Sequence, residues 1–218
     1  MKYFKILLLV FIVISCKKNN PNEFRLDIKL NGNYSGYLYL NYDKIKDSCL
    51  LNDGKAFFTG TVSYPTMAYY STNHISASDK NFYLENKKIN SEITFSKRQI
   101  GEHNIDWFTI DKISGTKTSI IEKDFESFKQ KFSSDKDWQK KLYDKLQKII
   151  VQNPKHRFSG DLLSEISNDT ILSKEQIGEL YHMLNIEFQD QDAIKRIEFK
   201  AFPEYRIKVG DSIYDFDL

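Results

Sequence analysis

Two cysteines, Cys16 and Cys49, and four histidines, His74, His103, His156 and His182, are the side chains here best suited to redox, nucleophilic or metal chemistry. The cysteines form no Cys-x-x-Cys, so a dithiol couple, which needs an attacking and a resolving sulfur, has no local pair to use. The histidines show no His-x-x-x-His spacing that would gather a metal, and surface or capping roles are expected for them. Ser48 and Ser159 lack the Gly-x-Ser-x-Gly elbow that exposes a nucleophile. Glu187, Asp190 and Asp192 read as a solvated helix junction. Asp211, Asp215 and Asp217 lack the glycine and glutamate of a calcium loop. No catalytic residue, cofactor or metal is expected. Trp107 and Trp138 are expected to anchor cores. Tyr37 and Tyr39 share a strand face, and with Tyr69 and Tyr70 they suggest cross-strand packing or, less simply, an exposed aromatic face.

Cys16 has a different chemistry, set by what precedes it. Met1 to Lys5 is a short basic segment, Ile6 to Ile14 is an apolar run too short to span a bilayer, and Ser15 places a small residue directly before the cysteine. This order resembles a bacterial lipoprotein signal, which implies cleavage before Cys16 and acylation of its thiol. At ~0.8 kcal/mol per buried CH₂, several acyl chains hold a protein on a membrane essentially permanently. Residues 1–15 are then the signal and 16–23 a polar tether. With Cys16 lipidated, Cys49 stands alone as a small apolar strand residue.

Composition narrows the partners. Cleavage removes Lys2 and Lys5, leaving 30 basic residues against 30 acidic ones. A balanced chain gives no electrostatic reason to expect nucleic acid. The 16 Phe and 13 Tyr, with only 4 Pro and 9 Gly, mark a globular chain that leans toward strands.

The elements follow from periodicity. "FRLDIKL" alternates Phe24, Leu26, Ile28 and Leu30 with polar residues, the pattern of a half-buried strand. "GYLYLNY" follows, then a hairpin expected to turn at Asn52-Asp53-Gly54, and then "TMAYYS", "NFYLEN", "KINSEITF" and "NIDWFTI". About eight strands in residues 24–114 predict an antiparallel β-sandwich or partly closed barrel. From 115 to 200 the period becomes helical. Ile121, Phe125, Phe128 and Phe132 form one stripe, and Trp138, Leu142, Leu146 and Ile149 form a second. A third helix starts near Ser159 with Leu162, Leu163 and Ile166. A fourth opens on the capping box at Ser173 to Gln176, and a fifth runs through Ile197, capped by Asp190 or Asp192. The fold class is therefore α+β, with a β-rich domain followed by a small helical one.

Several of these stretches, in this order, resemble the domain-of-unknown-function family 4369 (DUF4369). They are "GYLYLNY", "DSCLLNDGKAFFTG" with Asp47-Ser48 and Gly54-Lys55, "NFYLEN" and "ISGTKTSIIEKDFESF". The family sits at the N-terminus of envelope lipoproteins whose C-terminal half is a thioredoxin-like thiol-disulfide oxidoreductase. "NPKHRFSGDLL" and "LSKEQIGELYHML" look like the helical connector of that architecture. "VGDSIYDFDL", in the tail 201–218, is similar to the opening of the thioredoxin-like domain and is expected to be loosely held. The redox motif of those proteins matches no residue here. The function expected is that of a lipid-anchored, non-catalytic protein of the bacterial cell envelope, on the outer membrane facing the periplasm. It would act in binding or assembly with an envelope partner. The alternative is a separated or inactive N-terminal half of a thiol-disulfide oxidoreductase.

Overall fold

Alternation builds the first strand as the sequence predicts: Phe24, Leu26, Ile28 and Leu30 of β1 (Phe24–Asn31) are buried while Arg25 and Lys29 face solvent. The computed structural model describes residues 22–202, so Cys16, Asp211, Asp215, Asp217 and the tail segment "VGDSIYDFDL" lie outside the described residues. Eight further strands follow: β2 (Tyr37–Tyr42), β3 (Ile45–Leu50), β4 (Lys55–Gly60), β5 (Thr66–Ser71), β6 (Ser76–Ser78), β7 (Phe82–Leu84), β8 (Lys88–Ile100) and β9 (His103–Ser114).

The strands form two open sheets in the orders β4-β1-β8-β9-β6 and β3-β2-β5-β7, a sandwich rather than a barrel. Leu26, Ile89, Ile93 and Phe108 from one sheet meet Leu38, Leu40, Tyr70 and Phe82 from the other in a single core. Most pairings are antiparallel, but β1 runs parallel to β8, and the short β6, which periodicity does not reveal, runs parallel to β9.

The expected hairpin is half right. Asp53 (φ 49°) and Gly54 (φ 68°) make the tight turn, closed by reciprocal backbone bonds between Asn52 and Lys55 at 3.0 and 2.9 Å. Beyond that bridge the arms part, β3 joining the four-stranded sheet and β4 the five-stranded one, so the turn forms a corner of the sandwich.

At Gly115 the chain turns from strands to helices. Its φ is +104°, and a Cβ there would lie 2.1 Å from the Lys88 carbonyl oxygen, so only glycine fits. The helices are α1 (Lys117–Phe132), α2 (Trp138–Gln152), α3 (Arg157–Ile166), α4 (Lys174–Tyr181) and α5 (Gln191–Ala201). Ser173 and Gln176 form the predicted capping box of α4, and Asp190 caps α5 by accepting from the Asp192 and Ala193 amides at 3.0 Å. Leu142, Leu146, Ile150, Leu163, Leu180 and Ile197 fill the helical core, which also takes in Tyr83 from β7.

Candidate functional site

The seam between sandwich and helices carries the densest buried polar chemistry. Glu85, just after β7, is 8% exposed, and its carboxylate accepts from the amides of Lys117 and Thr118 and from Thr118 Oγ1, each at 2.8 Å. It thus satisfies orphan donors at the α1 N-terminus and places negative charge at the positive end of the helix dipole. Burial alone would raise this carboxyl, but the His156 imidazole 3.7 Å away and hydrogen bonds from Thr118 and Lys117 outweigh it and hold the group at about 2.

His156 completes the seam as the N-cap of α3. Its Nδ1 accepts from the Phe158 amide at 3.3 Å, which leaves the proton on Nε2, 3.2 Å from Thr118 Oγ1. The hydroxyl of Thr118 is given to Glu85, so Thr118, His156 and Glu85 form a satisfied buried network and not a nucleophile with its base. The capping role expected for a histidine falls on His156. His182 ends α4 against Phe202, and His74 and His103 are exposed.

Beside this network lies a cleft of about 390 Å³ between β7, α1 and α3. Met67, Tyr83, Phe125 and Phe158 give it an apolar wall. Around the wall stand Glu122 and Glu126 from α1 and Asp161 and Glu165 from α3, with Lys80 the one cation among the described lining residues. The helices place these carboxyls by spacing: Phe158, Asp161, Leu162 and Glu165 follow i, i+3, i+4, i+7 on α3, and Glu122 sits three residues before Phe125 on α1.

The electrostatics are those of partly compensated negative charge. Burial pushes Glu122 up to about 7, with Glu126, Glu165 and Glu85 adding to the rise and Lys80 opposing it. Burial also raises Asp161, despite the hydrogen bond it accepts from the Tyr83 hydroxyl and the charge of Arg157. Tyr83 is itself pushed up by burial and by Asp161, so it stays protonated and fixes Asp161 in place.

The residues singled out in the sequence are dispersed. Cys49 is a half-buried β3 residue packed on the edge of the sandwich core, its thiol 3.6 Å from the Leu50 carbonyl. Ser48 is exposed, and Ser159 is buried with its hydroxyl on the Asn153 carbonyl. Asp190 pairs with Arg157, whereas Glu187 and Asp192 are exposed. Tyr37, Tyr39 and Tyr69 share the outer face of the four-stranded sheet, and Tyr70 is in the core. Trp138 packs on Phe128 at 5.5 Å, but Trp107 is no core anchor: strand parity puts it on the outer sheet face, under Arg98 at 4.0 Å. Among the described residues, no three His, Cys, Asp or Glu side chains gather closely enough to hold a metal ion.

Glu122, Asp161, Glu165 and Tyr83 carry no motif, which is why sequence reasoning passes over them. One signal was available: an acid beside Phe125 on the buried stripe of α1.

No curated protein and no solved structure gives a significant match to the chain. The family model described as "Domain of unknown function (DUF4369)" matches residues 24–119, which span all nine strands and the first turn of α1. The β-sandwich of this chain, residues 24–119, is therefore the part that matches DUF4369, the family its sequence resembles.

Proposed function

We propose that this protein is a lipid-anchored component of the bacterial cell envelope, held by Cys16 on the outer membrane facing the periplasm, that works by binding rather than catalysis. The observation that carries the anchoring is the order of basic residues, apolar run, Ser15 and Cys16. The binding half of the reading draws on the cleft between sandwich and helices, where an apolar wall rimmed by a few polar groups gives the make-up of a ligand site. Tyr83 and Asp161 support binding over proton transfer, because each is engaged by the other and the tyrosine is a weaker acid than in water. Mass spectrometry of the membrane fraction tests the anchor. An acylated Cys16 peptide at the mature N-terminus is expected, with Cys16→Ser releasing the protein from the membrane, and an unmodified Met1 peptide in that fraction contradicts it.

A further inference from the structure

We infer that the cleft between the sandwich and the helices binds an organic ammonium on a short apolar stem, the chemistry shared by an alkylamine and a lysine side chain. This rests on the reading of the protein as a binding module and names the class of ligand its cleft takes.

Three features of the cleft point to that class. The cleft has the volume of a small-molecule site, about 390 Å³, at the junction of two folding units. Its walls are Met67, Tyr83, Phe125 and Phe158, which suit an apolar stem. Its polar rim is four carboxyl groups against Lys80 alone among the described lining residues. Glu126 is partly answered by Lys129 at 3.4 Å and Asp161 by the Tyr83 hydroxyl, but the Glu122 carboxylate has no hydrogen bond or ion pair among the described residues. Holding such a group against apolar surface is costly unless a positive charge arrives to meet it. A metal ion is the poorer occupant, because among the described residues no three carboxyls gather closely enough to hold one.

The sequence supplies its own reporter. Of three methionines, Met67 lines the cleft, whereas Met183 packs against the helical core and Met1 lies in the signal. The full chain carrying Cys16→Ser and ¹³C-methyl methionine is titrated at pH 8 with hexylammonium, hexanol and hexanoate. The expected result is a saturable shift of the Met67 methyl with hexylammonium, with hexanol about three- to tenfold weaker and hexanoate weaker still. Glu122→Gln with Glu165→Gln should weaken hexylammonium by a similar factor. Lys80→Gln should tighten it, an opposite sign that misfolding cannot imitate. A parallel titration with N-acetyl-lysine methylamide separates the sources: tighter binding than hexylammonium assigns the site to a protein partner, and weaker binding to a free amine. Equal binding of hexanol, or preference for hexanoate, overturns the ammonium assignment while leaving a binding cleft. No Met67 shift with any probe overturns the cleft as a site altogether, and the Cys16 anchor is judged separately by its mass.

Discussion

The Glu85 carboxylate lies 2.8 Å from the Thr118 amide, so a residue at the end of β7 caps a helix that begins beyond two further strands. This contact, with Tyr83 packed into the helical core, couples the sandwich to the helices and gives the cleft its shape.

Glu85→Ala should therefore destabilise the protein as a whole. It leaves the buried Thr118 amide, the part-buried Lys117 amide and a threonine hydroxyl without their acceptor, a loss of about 2–4 kcal/mol. At ~2–4 °C per kcal/mol for a chain of this size, the melting temperature should fall by roughly 5–15 °C. Thermal unfolding followed by circular dichroism reads it, and an unchanged midpoint would show that the seam contributes nothing.

Acid should remove the same contribution. Glu85 ionises at about 2 when folded against an ordinary value of 4.5, so its stabilisation is complete above pH 4.5 and is lost as pH falls from there through about 2. The stability gap between wild type and Glu85→Gln should close over that window in urea titrations. A gap that persists at pH 2 would contradict the assignment.

Glu122 carries the opposite sign. Its carboxyl is raised to about 7, so folding binds a proton between pH 4.5 and 7, and the penalty of the buried charge is fully present above 7. Glu122→Gln should stabilise the protein by on the order of 1–2 kcal/mol at pH 8 and leave it unchanged near pH 4. Destabilisation at pH 8 would mean that the carboxylate is satisfied in the free protein.

Gly115→Ala should be far more damaging than Gly101→Ala. Both glycines have positive φ, but an added Cβ meets the Lys88 carbonyl at 2.1 Å in the first case and nothing within 4 Å in the second. Conformational strain alone costs about 1 kcal/mol at Gly101, whereas Gly115 adds a backbone clash at the sheet-to-helix junction. Chemical denaturation of the two variants checks the order, and equal losses would show that the junction can yield.

Cys49 should react with a neutral thiol reagent more slowly in the native protein than in the denatured chain. It packs half-buried against the sandwich core. Equal rates would place the thiol in open solvent.

Much of this architecture was legible in the sequence because period and capping are local. The alternation of β1, the stripes of α1 and α2, the Asp53-Gly54 turn and the Ser173 capping box each declare themselves within a dozen residues. What stayed hidden depends on pairing across distance. Nothing near Phe24 says that β1 lies parallel to β8, and nothing near Asn52 says that the arms of its turn separate into two sheets. The cleft is hidden for the same reason. Asp161 and Glu165 look like ordinary surface acids of α3 until the fold sets them along the same cleft as Tyr83 and Glu122.

The negative charge held in the cleft is measured most directly by a ¹³C titration of the Glu122 side-chain carboxyl, assigned by its loss in Glu122→Gln. A midpoint near 7, moving down when hexylammonium is added, is the predicted result. A midpoint near the ordinary glutamate value of 4.5, unmoved by the amine, would contradict it.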